Sequence, residues 1–392
     1  NFPNSVVLAL YPLRALLQDQ AIKWREALLD AGFDGQAVQR IDGSIPMKER
    51  ISRLQRGRIV LMTPDVLHAW FLPSISEQEP ASFLRRLSIV ILDEAHIYDG
   101  IFGSNMAYLM RRLRSAAGPS SDKGTPSGAT GMQFLASTAT MADGEHFMKL
   151  LTGVDFYFIG PERDGTPTFE KRIVHCSISS AGDGYRSFLR KIGRDVLNCD
   201  GNERFLIFTD SRKRVEELAA DLQRSLRGEK EEKTNDRSTE PLEEIESLIA
   251  NAQILPYRAG YEDNCREKIQ EALTQAKLKG VVSTSALELG IDIGNIGLVI
   301  VIGAPADARS FWQRAGRTGR DCPGLVIILD TDDSVYRIGL QRYLARDFRP
   351  NTLYLDNEYL RYANVLCAAE EQRRASSARS SEAPFSDLPP VV

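Results

Sequence analysis

The sequence lacks several features that would place a protein in a broad class at once. No apolar run approaches the roughly 18 residues that a membrane-spanning helix needs, and no cleavable leader is recognisable at its start. Cysteines are few, and no two of them have the C-x-x-C spacing of a zinc or redox site. They lie at Cys176, Cys199, Cys265, Cys322 and Cys367. These absences predict a protein of a reducing compartment, the cytosol or a eukaryotic nucleus, without a membrane partner.

An excess of positive charge is also missing. The 392 residues carry a formal net charge of −4, so overall charge cannot steer the chain towards nucleic acid. Any phosphate-binding surface must therefore be concentrated locally. Hydrophobic residues make up 43% of the chain, and this fraction together with the length predicts a globular protein of two or three domains.

Short apolar runs alternate with helical patterns along most of the chain, which is typical of an α/β fold. Continuous runs without polar alternation indicate strands buried on both faces of a parallel sheet. A first set of runs lies at 5–12, 58–63, 87–93 and 133–138, and a second set at 204–210, 280–285, 298–304 and 324–330. The two sets predict two mostly parallel sheets, each covered by helices on both faces.

Composition marks the divisions between these parts. Residues 155–175 are rich in glycine, proline and charge, so the join between two domains is expected there. Two other biased stretches, 118–131 and 227–244, are expected to be surface loops. The predicted organisation is a first domain over 1–160, a second over 161–350, and a helical extension with a flexible tail over 351–392.

The stretch SIVILDEAHIYDG drives an apolar strand into two adjacent carboxylates, Asp93 and Glu94. A carboxylate fixed at the end of a strand can hold Mg²⁺ against nucleotide phosphates, and a neighbouring one can deprotonate the attacking water. Open α/β sheets bind ligands at this end of their strands. Taken alone, the pair is equally compatible with polar residues that begin a loop.

A second segment, FWQRAGRTGR at 311–320, changes this balance. Its pattern is expected to place four side chains around one helical turn, with Gly316 and Gly319 allowing close approach of the backbone; they are Gln313, Arg314, Arg317 and Arg320. Guanidinium groups spaced in this way can spread the charge of a transferring phosphoryl group. The alternative is a solvated basic helix start. ASTAT at 136–140 and STSALELGIDIG at 283–294 accompany the segment, which favours phosphate chemistry.

In this order the motifs resemble those of superfamily-two helicases of the DEAD/DEAH type, whose motor has two RecA-like domains. The resemblance spans about residues 5–345. In the first half, YPLRALLQDQ (11–20) resembles motif Ia, TPDVLH (63–68) motif Ib, LDEAH (92–96) motif II and STAT (137–140) motif III. In the second half, FTDSRKRVE (208–216) resembles motif IV, YRAGY (257–261) the segment after it, STSALELGIDIG motif V and QRAGRTGR (313–320) motif VI. Within the superfamily the chain is most similar to Mrf/Hrq-type DNA repair helicases, and related helicases occur in antiphage systems such as DISARM.

The resemblance implies a role for each residue at a matching position. Asp93 would coordinate Mg²⁺, and Glu94 would activate the hydrolytic water. His96 would couple the site to the second domain, while Ser137 and Thr138 would link hydrolysis to domain motion. At the nucleotide the implied residues are Gln313 near the γ-phosphate, Arg317 and Arg320 as arginine fingers, and Gly290 and Asp292 of motif V.

Another group of residues lies just after the predicted strand ends. Hydroxyls, backbone N–H groups and helix N-termini at such positions can hold successive phosphates without reading sequence. As a set they favour contact with a nucleic-acid strand, although each alone would be interpreted as a helix cap or a surface charge. They are Arg14, Thr63, Asp65, Ser211, Arg212, Arg258, Thr284 and Ser285.

One motif of the family is absent from the sequence. No G-x-x-x-x-G-K-[ST] occurs, so neither the lysine that pairs with the β- and γ-phosphates nor the hydroxyl that ligates Mg²⁺ is present. In the family this P-loop precedes motif Ia, which begins here at about residue 11. Two interpretations follow: a fragment whose P-loop lies upstream, which the start at Asn1 in a core strand favours, or a degenerate helicase module.

The sequence therefore predicts the motor core of an ATP-dependent DNA helicase or translocase that uses ATP and Mg²⁺. By resemblance it would step 3′ to 5′ and act in DNA repair or antiphage defence. Three alternatives stay open: a double-strand translocase that does not separate strands, an RNA helicase, and a nucleic-acid-binding scaffold without turnover. The expected partners are DNA, an N-terminal segment and flanking domains of the same protein, and further subunits.

Overall fold

The protein forms two compact units, which we call unit 1 (Asn1–Arg163 with Pro350–Val392) and unit 2 (Asp164–Arg349). The chain therefore passes between the units twice, and the second passage returns it to unit 1. The computed structural model describes residues 4–118, 132–139, 141–167, 169–178, 184–198, 204–227, 242–257, 263–288, 296–320, 322–374 and 384–388.

Unit 1 is built on a parallel sheet. Its strands are β1 (Val6–Leu10), β2 (Val38–Ile41), β3 (Ile59–Met62), β4 (Leu87–Leu92) and β5 (Gln133–Ala136). Within the described part of unit 1 their order is β2-β3-β1-β4-β5, and every pairing is parallel. The helices are α1 (Arg14–Asp30), α2 (Met47–Arg56), α3 (Pro64–Val66), α4 (Gln78–Arg86), α5 (Gly100–Ala117) and α6 (Gly144–Thr152).

Alternate residues of the unit 1 strands enter cores on opposite faces of the sheet. Leu8 and Val90 pack in one cluster with Tyr108 of α5. Ala9 packs on the other face with Leu17 of α1. Because helices cover both faces, the strands β1, β3 and β4 are mostly buried on both sides, and this explains why their apolar runs are continuous, whereas β5 at the edge of the described sheet is largely exposed.

Unit 2 repeats this architecture. Its strands are β6 (Lys171–Ser177), β7 (Phe205–Thr209), β8 (Ile254–Tyr257), β9 (Gly280–Ser283), β10 (Leu298–Ile302) and β11 (Gly324–Asp330). Among its described residues their order is β6-β11-β10-β7-β9-β8, again with parallel pairings throughout. The helices are α7 (Gly184–Asn198), α8 (Arg212–Arg227), α9 (Leu242–Asn251), α10 (Asp263–Thr274), α11 (Ala308–Ala315), α12 (Ser334–Ile338) and α13 (Leu340–Leu344).

After unit 2 the chain packs on unit 1 again through α14 (Glu358–Arg374). On α5, Arg112 forms a buried ion pair with Glu371 of this helix. The segment 384–388 was expected to belong to a flexible tail, but Phe385 is buried and its ring lies edge-on to Tyr108, with centroids 5.3 Å apart. Asp387 also pairs with Arg111 of α5 (2.7 Å), and Leu388 is buried. Contacts made by so short a segment leave no periodicity that a sequence pattern could reveal.

The two-sheet α/β fold predicted from the apolar runs is confirmed. Each predicted run contains a strand, but β2, β6 and β8 were missed. VQRI and KRIVHCS interrupt their apolar residues with charge, and ILPY contains a proline. Among the described helices, none combines the length and the apolarity that crossing a bilayer requires.

Candidate functional site

The carboxylate of Asp93 is fixed at the carboxyl end of β4. The Asp93 N–H donates to the Leu10 carbonyl (3.1 Å), which extends the strand ladder by one residue. Asp93 Oδ1 accepts hydrogen bonds from the Ser137 hydroxyl and from the Glu94 N–H (2.9 Å). Both bonds fall on Oδ1, and Oδ2 receives no hydrogen bond from a described residue, so this oxygen could serve as a ligand to a cation.

Asp93 suits Mg²⁺ in the mode that nucleotide-dependent enzymes use. No group of three or more His, Cys, Asp or Glu side chains converges on a possible metal site within the part of the chain described. Mg²⁺ characteristically binds through one or two carboxylates together with water and substrate phosphates. A single immobilised carboxylate at a strand end fits that mode better than it fits a metal cage made of protein alone.

Glu94 has a backbone conformation that is unusual for its residue type. Its φ of 50° and ψ of 46° place it in the left-handed region, immediately before the 3₁₀ turn Ala95–Ile97. Holding a non-glycine residue there costs on the order of 1–3 kcal/mol, and such strain is concentrated at functional sites. The Glu94 side chain is 20% exposed, so its carboxylate can meet water, and Oε2 lies 3.4 Å from His96 Nδ1.

The imidazole of His96, the last residue of motif II, contacts the backbone of motif III. It is buried, and its Nδ1 accepts a hydrogen bond from the Ala139 N–H at 3.3 Å. The same nitrogen cannot accept this bond and donate to Glu94 at once, so the bond to Ala139 requires the neutral tautomer with its proton on Nε2. Nδ1 of His96 can therefore accept from the motif III backbone or donate to the Glu94 carboxylate, but it cannot do both at once.

Motif III continues the ladder between β4 and β5 beyond the strand ends. The Ser137 N–H donates to the Leu92 carbonyl (3.0 Å), and the Ser137 carbonyl accepts from the Ala95 N–H (2.9 Å). Ser137 and Thr138 are both exposed, and the Thr138 hydroxyl donates to the Ala139 carbonyl (2.9 Å). Any shift of this segment must therefore move Asp93 and the turn after it.

The predicted nucleic-acid residues of unit 1 lie beyond the carboxyl ends of the strands, all on one side of the sheet, because its strands are parallel. Arg14 is exposed at the first position of α1, just after β1. Thr63 follows β3 but is buried and caps the next turn with its carbonyl, whereas Asp65 is exposed. Sequence reasoning missed Gly43, which follows β2: a Cβ built there would lie 2.9 Å from Arg14 Nη2. The signal was the turn dipeptide in IDGS directly after a strand.

The corresponding residues of unit 2 follow β7 and β9. Ser211 caps α8, its hydroxyl accepting from the Arg214 N–H (3.3 Å), and Arg212 is exposed. Thr284 and Ser285 begin a 3₁₀ turn after β9. Arg258, Gly290 and Asp292 lie outside the described residues.

The sequence pattern predicted that the residues of motif VI share one helical turn, and this prediction is wrong. Helix α11 ends at Ala315 with Gly316 as its C-cap, so Arg317 and Arg320 lie in the turn that follows. Beyond the C-cap the turn includes Gly319 with a φ of +71°, a backbone conformation that lies outside a right-handed helix and keeps Arg320 off the helical register.

Arg314 is not placed to contact a phosphate. Its side chain is 4% exposed; Nε donates to Glu288 Oε1 (2.6 Å) and Nη2 to Asp210 Oδ1 (2.7 Å). It therefore ties together the residues of motifs IV, V and VI. Sequence reasoning missed Glu288, whose signal was a lone charge in the otherwise apolar run ALEL.

The two predicted finger arginines differ in accessibility. Arg317 is buried, and its Nη2 bonds to the Glu288 carbonyl. Arg320 is exposed, with Nε donating to the Gly316 carbonyl (2.9 Å). Burial first, and then the charge of Arg320, lower the pKa of the nearby Lys171 ammonium. Arg320 is thus the better placed of the two to reach a ligand, and Gln313 is half-buried.

Residues 1–147 match the family described as DEAD/DEAH box helicase, and residues 189–322 match the helicase conserved C-terminal domain. The chain belongs to the superfamily-two DEAD/DEAH-type helicases and carries both halves of their core.

Its relatives place it in the Mrf/Hrq group of this superfamily. ATP-dependent helicase hrq1 of Schizosaccharomyces pombe is 29% identical over 383 residues, which cover 94% of this chain and 33% of the relative. The uncharacterised ATP-dependent helicase YprA of Bacillus subtilis is 30% identical over 318 residues, covering 80% and 38%. A crystal structure of the DUF1998 helicase MrfA bound to DNA shares 26% identity with a TM-score of 0.77, covering 94% of this chain and 46% of that one. The chain thus spans between a third and a half of the length of these proteins.

Proposed function

We propose that this chain is the motor core of an ATP-dependent DNA helicase or translocase. The observation that carries the proposal is the motif II arrangement: Asp93 is held by Ser137 at a strand end, and beside it Glu94 is strained into the left-handed region. A carboxylate fixed for a metal next to a water-accessible carboxylate is the pair that nucleotide hydrolysis needs. Membership of the helicase family supports the same conclusion.

In the proposed reaction each residue has a distinct task. MgATP supplies the γ-phosphoryl group when it is bound. Asp93 would hold the cation, and Glu94 would accept the proton of the attacking water. Unit 2 contributes Arg320, and Arg317 once its bond to the Glu288 carbonyl is released, to neutralise charge on the phosphates. By the family resemblance, the motif V residues Gly290 and Asp292 would approach the nucleotide.

The P-loop must then come from a segment outside these 392 residues. Strand β5 lies at an edge of its sheet among the described residues, and Leu135 in its middle is 52% exposed. An exposed apolar strand at a sheet edge is a ready template for another strand. The relatives are two to three times longer than the matched region, so their additional residues could include such a strand. We place the P-loop strand beside β5.

DNA is the proposed track. Arg14, Asp65, Ser211, Arg212 and Ser285 are exposed near strand ends, where groups that hold a phosphate backbone are expected. The similar helicase MrfA was crystallised bound to DNA, which favours DNA over RNA here. The 3′ to 5′ polarity and a role in repair or defence are proposed from the resemblance alone. A cytosolic or nuclear location is proposed from the small number of cysteines and their lack of C-x-x-C spacing.

The deciding experiment measures ATP hydrolysis by the full-length protein with and without single-stranded DNA or RNA. Glu94→Gln keeps the size of the side chain and removes the base, so we expect stimulated hydrolysis to fall about 10²- to 10⁴-fold. Glu77→Gln, the same change at an exposed position before α4, is the control and should leave the rate unchanged. A wild type without stimulated hydrolysis, or an unaffected Glu94→Gln variant, contradicts a motor. A strand-separation assay then distinguishes a helicase from a translocase.

A further inference from the structure

The segment that leaves unit 2 contacts motif II at once. We call residues 350–356 the strap. Asn351 Nδ2 donates to the carbonyl of His96 (2.7 Å), the last residue of LDEAH. One residue later, the Thr352 N–H donates to Asp99 Oδ1 and the Thr352 carbonyl accepts from the Gly100 N–H (2.8 Å). The strap therefore fixes the 3₁₀ turn that follows Glu94.

The remainder of the strap is held along α5. The Tyr354 N–H donates to the Ser104 hydroxyl (2.7 Å), and the Leu355 carbonyl accepts from the Tyr108 hydroxyl (2.9 Å). Leu355 itself is buried in the unit 1 core. Hence the strap cannot slide on unit 1 without breaking several hydrogen bonds together.

The residues just before the strap are hydrogen-bonded to α11, the helix that precedes the finger arginines. In unit 2, Arg309 of α11 donates from Nη2 to the Arg349 carbonyl (2.8 Å). Arg346 donates to the Ala306 carbonyl just before that helix (2.7 Å). Only Pro350 separates Arg349 from Asn351, and its ring fixes φ, so the connection has little slack.

Stability alone does not account for the amide of Asn351. Its Oδ1 is buried and has no hydrogen-bond partner within the described ranges. A buried acceptor without a partner costs more than one neutral hydrogen bond contributes, so an apolar side chain would suit the fold as well. The amide is explained by what its N–H holds, which is the backbone of motif II.

We propose that the strap is a mechanical link between motif II and helix α11, with Asn351 as its positioning residue. This inference rests on the proposed motor function and deepens it. A displacement of α11 pulls on Arg349, and through Pro350 and Asn351 it changes the position of the His96 carbonyl. The orientation of Glu94, two residues earlier, then depends on the position of the helix that precedes the arginine fingers.

The test compares Asn351→Ala with Thr352→Ala in the full-length protein. Thr352→Ala removes a neighbouring exposed side chain and keeps both backbone bonds, so it is the matched control. For Asn351→Ala we expect kcat of DNA-stimulated ATP hydrolysis to fall roughly three- to thirtyfold with KM for ATP little changed. Hydrogen exchange of the peptide covering 96–103 should become faster in Asn351→Ala and stay unchanged in Thr352→Ala.

A second variant keeps the side chain of Asn351 and removes the fixed φ that Pro350 gives to the connection. Pro350→Gly alters an exposed residue and should lower kcat in the same direction, even if Asn351→Ala fails to fold. The inference is overturned if Asn351→Ala and Pro350→Gly hydrolyse ATP like the wild type, or if Thr352→Ala is impaired equally. A wild type that lacks stimulated hydrolysis refutes the motor instead, and exchange at 96–103 still decides whether Asn351 holds the turn.

Discussion

Arg314 Nε donates a hydrogen bond to Glu288 Oε1 across 2.6 Å, inside unit 2 and almost out of contact with water. The side chains are 4% and 10% exposed. The second acid on the same guanidinium, Asp210, is 67% exposed. One cation thus bonds to one buried and one solvated carboxylate, and the two bonds should differ greatly in energy.

Removing the buried acid should destabilise unit 2 far more than removing the exposed one. Glu288→Ala leaves Arg314 buried without its main counter-charge, so we expect a loss of about 3–5 kcal/mol in the free energy of unfolding. Asp210→Ala removes an ion pair that water already screens and should cost at most about 1 kcal/mol. Urea unfolding of both variants checks this. Equal losses would show that the two bonds do not differ as their burial implies.

The stability of unit 1 should fall in mild acid because of His68. Arg112 donates from Nη1 to His68 Nδ1 (2.9 Å), so this imidazole is neutral. Burial, and next the charge of Arg112, hold the pKa of His68 below its usual 6.5. As the pH falls below 6.5 the unfolded chain binds a proton that the folded chain refuses. The free energy of unfolding therefore decreases with falling pH until the pH reaches the lowered pKa.

A histidine substitution isolates this contribution. In His68→Gln, the slope of the free energy of unfolding against pH should be shallower between pH 6.5 and 5 than in the wild type. His146→Gln changes a second exposed histidine of the same unit and serves as the control. Urea titrations at a series of pH values supply the slopes. Identical slopes in His68→Gln and the wild type would mean that His68 does not titrate as its contacts imply.

Gly43→Ala should weaken DNA binding by displacing Arg14. The new Cβ would lie 2.9 Å from Arg14 Nη2, and the flexible guanidinium can move away without disturbing the fold. If Arg14 contacts a phosphate, one contact is lost. The slope of log K against log salt concentration for single-stranded DNA should then become shallower by about 0.7.

Two comparisons make this measurement specific. Gly165→Ala places the same methyl group in open space and should leave the salt dependence unchanged. Adding Gly43→Ala to Arg14→Ala should cause no further loss of DNA affinity, because both changes remove the same contact between Arg14 and a phosphate. Additive losses would separate Gly43 from Arg14 and contradict a shared contact.

The part of the fold set by local pattern was predictable. Strand β4 ends at Leu92, one residue before Asp93, as its apolar run implied. The same reasoning missed β6, where an exposed Val174 and the charged Lys171 and Arg172 hide the strand, because its identity depends on pairing with β11. Hydrophobic pattern reports burial, and pairing partners far along the chain leave no trace in it.

For the site, the sequence predicted which residues take part but not their backbone conformation or their partners. Sequence motifs located Asp93 and Glu94, yet the left-handed backbone of Glu94 depends on the turn that follows it. Arg314 looked like a phosphate ligand because only its spacing was visible. Its actual partner, Glu288, is 26 residues away in sequence. Asn351 is 255 residues from His96, and no local rule connects them.

Unit 1 is a discontinuous domain, and this has a consequence for how the protein is made. Its core includes Leu355, Ala368 and Phe385, which follow unit 2 in the chain. At about 5–20 residues per second, roughly 10–40 s pass while the ribosome adds 164–349. Throughout that interval Arg112 stands on the nascent α5 without Glu371. Unit 2 is contiguous and can finish folding first, so the half that carries the DEAH box is the last to become complete.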